Sequence, residues 1–310
     1  MPSTNLSLTL QQADTVLSRW LKCDVVCDQI EALKGGMINT VLRLTFEQSP
    51  FTAVIKLNRD PDGSGLQSEY MRLDYLKTHT RLPVPTPYHY APADQAMPYS
   101  YLLLETIPGT NMAQVDLAPK DRSAIERELA EALIDLHRHT RTTYGRIHEP
   151  GVVSWAEIFV PELQAMRDNV EEKLTDAVLG DIDAALTHAA EILTNQGPPT
   201  LIHEDLWAGN IMVDRGEEGW HLAGLVDPSG AKFADVECEL AYLQVFDTVG
   251  STFFDVYTAS HPLRSGYEFR RLFYWLNTYM IHVWLFGDRS YIDRTAEVAR
   301  TIRSYTTGSN

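Results

Sequence analysis

Between residues 25 and 58 the chain alternates apolar and polar positions, first in TVLRLTF and again in FTAVIKL, with turn residues between the runs. A period of two in short β-branched runs predicts half-buried strands, and successive runs predict a small antiparallel sheet. Residues 8–22 before it have the spacing of an amphipathic helix, and RDPDGSG at 59–65 reads as a loop. Leu66, Tyr70, Leu73 and Leu76 recur at three- and four-residue steps, which predicts a helix over 66–79. In LPVPTPYHY three prolines exclude helix and predict an extended connector. YSYLLL, residues 99–104, reads as a strand.

The period then lengthens. A helix over 119–139 starts at Pro119 and keeps its spacing through Leu129, Leu133 and Leu136. Helical stretches follow at 155–174 and 176–195, closed by NQGPP. Residues 211–213 and 222–226 read as a hairpin around RGEEG, and helices near 235–247, 266–286 and 290–305 finish the chain. The fold class expected is α+β, in two lobes. A small β-rich N-lobe would occupy 1–106 and a larger, mainly helical C-lobe 107–310, with a hinge at Glu105 to Gly109. The apolar run LFYWLNTYMIHVWLF at 272–286 is interrupted by Asn277 and His282 and is shorter than the roughly 20 residues of a membrane span, so it reads as a core helix.

Charge narrows the range of partners. Asp and Glu total 42 against 26 Lys and Arg, a net charge of -16, so no net basic field exists to collect nucleic-acid phosphates. Cys23 and Cys27 stand at a C-x3-C spacing without nearby His. Together with Cys238 they read as reduced thiols of a cytoplasmic protein, not a zinc site. The N-terminus has no basic start followed by an apolar run, so no secretory signal is expected.

The chemistry concentrates in LIHEDLWAGNIMVD, residues 201–214. It sets His203, Asp205 and Asn210 in an H-x-D-L-x-x-x-N frame, and Asp227 ends the next apolar run. The frame resembles the catalytic loop of kinase-like phosphotransferases, in which an Asp takes the acceptor's proton and an Asn holds magnesium. Asp205 is then the candidate base. Asn210 and Asp227 are candidate oxygen ligands for Mg2+, and His203 would orient the loop. Lys56, in AVIKL, is similar to the kinase strand lysine that binds phosphates, and Glu69 thirteen residues on would fix it. Gly35-Gly36 lies in a turn whose amides would cover phosphates, although a plain hairpin turn accounts for it equally well. The Glu105-Thr106-Ile107 segment would offer backbone groups to an adenine ring.

These residues, with LVDPSGAKFADVECELA after them, resemble the aminoglycoside phosphotransferase and choline kinase superfamily of protein-kinase-like enzymes. D-L-W-x-G-N, V-D-P at 226–228, GGMINTVLRL and VIKLNRD are most similar to its fructosamine kinase branch. The resemblance implies a bilobal protein-kinase-like fold, ATP as donor, Mg2+ as cofactor and a small-molecule hydroxyl as acceptor, on a sugar or a fructosamine. Aminoglycoside, choline or homoserine-type kinases of the same fold, and a silent nucleotide-binding pseudokinase, are the alternatives. The chain departs from the family pattern at Glu204, where the family carries Gly. Protein kinases carry Arg at that position, so the backbone is not expected to demand Gly, and Glu204 becomes a candidate contact to a cationic acceptor. Glu239 replaces the later Asp of the family's GDPxxDLA. Among the aromatics of the helical part, Trp155, Trp207, Tyr274, Trp275 and Trp284, the one inside the loop, Trp207, is the leading acceptor contact.

Overall fold

Ile55 and Lys56 are neighbours in sequence, and strand geometry sends their side chains to opposite faces. In the computed structural model, which describes residues 5–33, 38–60 and 64–307, that division organises the first part of the chain. Five strands, β1 (Cys27–Ala32), β2 (Thr40–Phe46), β3 (Thr52–Asn58), β4 (Pro87–Ala91) and β5 (Ser100–Leu104), form an antiparallel sheet in the order β1-β2-β3-β5-β4. One face carries Leu42, Leu44, Phe46, Ala53, Ile55, Leu57, Tyr101 and Leu103, which pack in one core with Ala13, Val16 and Leu17 of helix α1 (Leu10–Leu21). The alternate positions Val41, Arg43, Val54, Lys56 and Leu104 line a cavity instead. Helix α2 (Ser64–His79) buries Leu66, Glu69, Leu73 and Leu76, a single stripe at helical spacing that holds one carboxylate among leucines.

The chain divides into two compact units. One comprises residues 1–125 with 208–229, the other 126–207 with 230–310. The first includes a second small sheet, β6 (Thr110–Asn111) with β9 (Ile211–Gly216) and β10 (Gly219–Leu225), in the order β10-β9-β6. The second unit takes over within helix α3 (Pro119–Leu136). It contains α4 (Ala156–Asn169), α5 (Asp176–Ile192), α6 (Val236–Val245), α7 (Ser251–Ser260), α8 (Tyr267–Phe286) and α9 (Arg289–Thr307). A three-stranded sheet, β7 (Gly145–Arg146), β11 (Lys232–Ala234) and β8 (Thr200–Ile202), lies in it too. Its core gathers Trp155, Phe159, Ile182, Phe273, Tyr274, Leu276 and Met280. Arg270, 3% exposed, holds both oxygens of Glu237 at 2.7 and 2.8 Å, so this buried cation is fully paired. No helix among the described residues is long and apolar enough to cross a membrane.

The structure differs from the expectations in three places. Residues 107–125 and 208–229 group with the first unit, so the division is not a single cut after residue 106. The proline-rich connector contains β4, an edge strand that begins at Pro87, one of the few strand positions where a missing N–H costs no ladder bond. Helix α7 was not expected from STFFDVYTAS, whose two apolar anchors, Phe253 and Tyr257, are too few to show a period. Gly35 and Gly36 lie outside the described residues.

Because Ile55 is fully buried in the core of the first unit, Ile55→Ala is expected to destabilise it by about 2–5 kcal/mol. A urea titration followed by fluorescence should show a lower midpoint with an unchanged slope.

Candidate functional site

The first unit holds a cavity of about 460 Å³, in the range of small-molecule sites. Its apolar lining includes Val41, Val54, Leu104, Met212 and Val226, and Glu105, Thr106 and Ile107 lie along it. The Glu105 N–H bonds to the Thr86 carbonyl at 2.9 Å. Of that residue's backbone, then, the carbonyl is the group that a ring could use. Gly109, also in the lining, has φ +82, and a Cβ there would fall 2.1 Å from the Val213 carbonyl oxygen, so both the turn and the close approach to β9 require glycine.

Lys56 is the charged centre of the lining. Its Nζ donates to Glu69 Oε1 at 2.6 Å and lies 3.2 Å from Asp227 Oδ1. The Lys56 and Glu69 side chains are almost fully buried, whereas Asp227 is 39% exposed. Burial works against the ammonium, but Asp227 and Glu69 outweigh it and raise the Lys56 pKa above the ordinary lysine value.

Asp227 and Asn210 come together through the β9–β10 hairpin. Ile211 pairs with Leu225, and one step beyond, the Val226 N–H donates to the Asn210 carbonyl at 2.9 Å. Asp227 then turns with φ +61. One carboxylate and one amide carbonyl on the same cavity wall fit Mg2+, a hard ion that takes oxygen ligands and draws the rest from phosphates and water.

The loop before Asn210 belongs to the second unit, where helix α6 grips it. Glu239, fully buried, accepts the N–H groups of His203 at 2.6 Å and of Glu204 at 2.9 Å. The Asp205 N–H reaches His203 Nδ1 at 3.4 Å. Tyr242, one turn after Glu239, donates its hydroxyl to Asp205 Oδ1 at 2.7 Å. Glu204 has φ +72, so this backbone does take the left-handed form that favours glycine, contrary to the expectation from the kinase Arg. Its carboxylate does not stand ready for a cation from outside: Lys232 Nζ holds it at 2.5 Å. A Cβ at Gly230 would fall 2.2 Å from Glu204 Oε2, so a side chain at 230 would require the end of Glu204 to shift. Burial pushes the Glu204 pKa from 4.5 up to about 7, against the pull of Lys232.

The sequence profile of the fructosamine kinase family matches residues 9–304. The chain belongs to the fructosamine kinase family. Among its relatives is a "probable ketoamine kinase" of Staphylococcus aureus (strain NCTC 8325 / PS 47), 28% identical over 54% of this chain and 62% of that protein. The chain thus spans under two thirds of that relative's length. A chloroplastic protein-ribulosamine 3-kinase of Arabidopsis thaliana is 26% identical over 84% of this chain and 78% of that protein. A solved candidate fructosamine-3-kinase of Haemophilus somnus 129PT superposes with a TM-score of 0.76 at 22% identity, covering 94% of this chain and 96% of that one. A thermostable variant of aminoglycoside phosphotransferase APH(4)-Ia, in complex with AMP-PNP and hygromycin B, gives 0.71 at 15% identity over 96% and 100%. The fold of this fructosamine kinase family member is therefore protein-kinase-like, with a β-sheet N-lobe and a helical C-lobe.

Within the first unit the structure brings together Lys56, Glu69, Asn210, Asp227, Glu105 and Ile107; within the second, His203, Glu204, Asp205 and Trp207 share one loop. Trp207 is half-buried. Two of the other aromatic candidates are structural. Trp155 is fully buried and donates to the Tyr274 hydroxyl at 3.1 Å, and Trp275 donates to the Ala241 carbonyl at 2.8 Å. Tyr242, Lys232 and Gly230 were missed. Tyr242 could have been found, because it follows Glu239 by three residues on an expected helix; nothing in the sequence marks Lys232.

Because a raised carboxyl pKa favours the fold in its protonated form, the Glu204 contribution is full below about pH 4.5 and lost as pH rises through about 7. Urea unfolding at several pH values should show this loss, on the order of 3 kcal/mol, in the natural chain and its absence in Glu204→Gln. Identical pH slopes would show that Glu204 titrates normally.

Proposed function

We propose that this protein is an ATP-dependent kinase that transfers the γ-phosphoryl group to a hydroxyl of a ketosamine, a sugar attached through an amine. The observation that carries this reading is the buried Lys56 ammonium, held between Glu69 and Asp227 on the wall of a cavity of nucleotide size, with Asn210 on the same wall. Family membership supports the kinase class, relatives named ketoamine and ribulosamine kinases support the acceptor, and a structural neighbour that holds AMP-PNP supports the donor.

The chain's own groups divide the work as follows. Val41, Val54, Leu104, Met212 and Val226 enclose an adenine ring, and Glu105 and Ile107 offer it backbone groups. Lys56, fixed by Glu69, binds the α- and β-phosphates. Asn210 and Asp227 would hold Mg2+, which neutralises phosphate charge when bound. Asp205 accepts the acceptor's hydroxyl proton as the new O–P bond forms; the bond from the γ-phosphorus to its bridging oxygen breaks and ADP leaves with the electron pair. Trp207 is assigned to the acceptor. A cytoplasmic location belongs to this reading, supported by three free cysteines.

Incubation with ATP, magnesium and a panel of ribulosyl-lysine, fructosyl-lysine, aminoglycosides, choline and homoserine tests the acceptor. ADP release is expected with the ketosamines. Release only with another class moves the acceptor, and release with none overturns the kinase reading. Separately, Asp205→Asn is expected to lower kcat by roughly 10²–10⁴-fold with nucleotide affinity, measured by calorimetry, unchanged.

A further inference from the structure

Helix α6 holds the loop that carries Asp205 at two points one turn apart. Glu239 fixes the backbone through the amides of 203 and 204, and Tyr242 fixes the side chain through Asp205 Oδ1 at 2.7 Å. Residues three apart on a helix share a face, so both grips come from one surface of α6. The Tyr242 ring is itself anchored. It stands edge-on to Phe246, centroids 5.5 Å apart, and Phe246 packs on His282 at 5.1 Å. Burial and the neighbouring Asp205 charge push the phenol pKa well up, so the hydroxyl stays a donor.

We propose that Tyr242 is a positioning residue for phosphoryl transfer: its hydroxyl holds Oδ1 of Asp205 and so sets the rotation of that carboxylate about its Cβ–Cγ bond. This rests on the reading of Asp205 as the base. A base that must meet one acceptor hydroxyl loses rate with each unproductive rotation of its carboxylate, and a hydrogen bond of 2.7 Å to one oxygen favours one rotation. A neutral donor on Oδ1 steadies the carboxylate without neutralising it, as a lysine or arginine there would.

Tyr242→Phe keeps the anchored ring and removes only the hydroxyl. Steady-state kinetics with ATP and ribulosyl-lysine, normalised to titrated nucleotide sites, should show kcat lowered roughly ten- to a hundredfold, with KM for both substrates within about twofold of the natural chain. Thermal melting is measured in parallel, and a change in melting alone with full kcat per site overturns the proposal. Asp205→Asn is assayed beside it. If Asp205→Asn is inactive and Tyr242→Phe keeps full kcat, the positioning role fails while the base stands. If Asp205→Asn is itself fully active, the base reading fails first and takes the proposal with it. A rise in KM without loss of kcat also overturns positioning, because it places Tyr242 in binding.

Discussion

An ammonium removed from water must find carboxylates, and Lys56 finds two. Glu69 lies at 2.6 Å and Asp227 at 3.2 Å, and the rest of the first unit is arranged so that both are there. The period of β3 turns Lys56 away from the α1 core; the stripe of α2 places Glu69 among leucines; the register of β9 with β10 ends on Asp227. Take Lys56 away and the buried Glu69 carboxylate loses the cation at 2.6 Å, which costs far more than a pair of this kind contributes. The three groups sum to one negative charge. Under the proposed function, that surplus sits where a divalent cation and a polyphosphate would enter together.

A second constraint belongs to the loop at 203–207. Its backbone bends through a left-handed residue, and bent backbone exposes N–H groups that must be paired. Glu239 accepts two of them while fully buried, so α6 ends up holding the loop by its backbone and, through Tyr242, by the Asp205 carboxylate. The helix is itself fixed at its start, where the Asp235 side chain accepts the Glu237 N–H and Arg264 Nη2 lies 2.7 Å from Asp235. Rigidity thus passes from an ordinary N-cap to the group that would do the chemistry.

Much of this could be read from the residues. The alternation in β2 and the helical stripe in α2 are one-dimensional patterns, so the sheet and the helix were legible in the sequence, and the likeness of AVIKL to the kinase strand lysine suggested the Lys56–Glu69 pair. The H-x-D-L-x-x-x-N frame was legible too, because it is local. What escaped was whatever depended on distance in sequence. Lys232 meets Glu204 across 28 residues, β4 forms only because β5 pairs with it, and residues 208–229 return to the unit formed by the chain's beginning. Propensity has no term for such returns.

Glu204 shows what a side chain in left-handed backbone entails. At φ +72 it costs about 1–2 kcal/mol, before its charge is considered. The carboxylate then needs room and a partner, and finds them in Gly230, which leaves the space, and Lys232, which supplies the cation. A side chain at Gly230 would displace the end of Glu204, and among the described residues the ion pair left to Lys232 without Glu204 is Glu162, at 3.8 Å. Lys232 also lies 5.7 Å from the Trp155 ring centroid, so the pair is braced against the core of the second unit. A glycine loop would be freer at this point. Glu204 exchanges that freedom for a tether between the loop and β11, which aligns with a chain that also ties down the next residue, Asp205, through Tyr242.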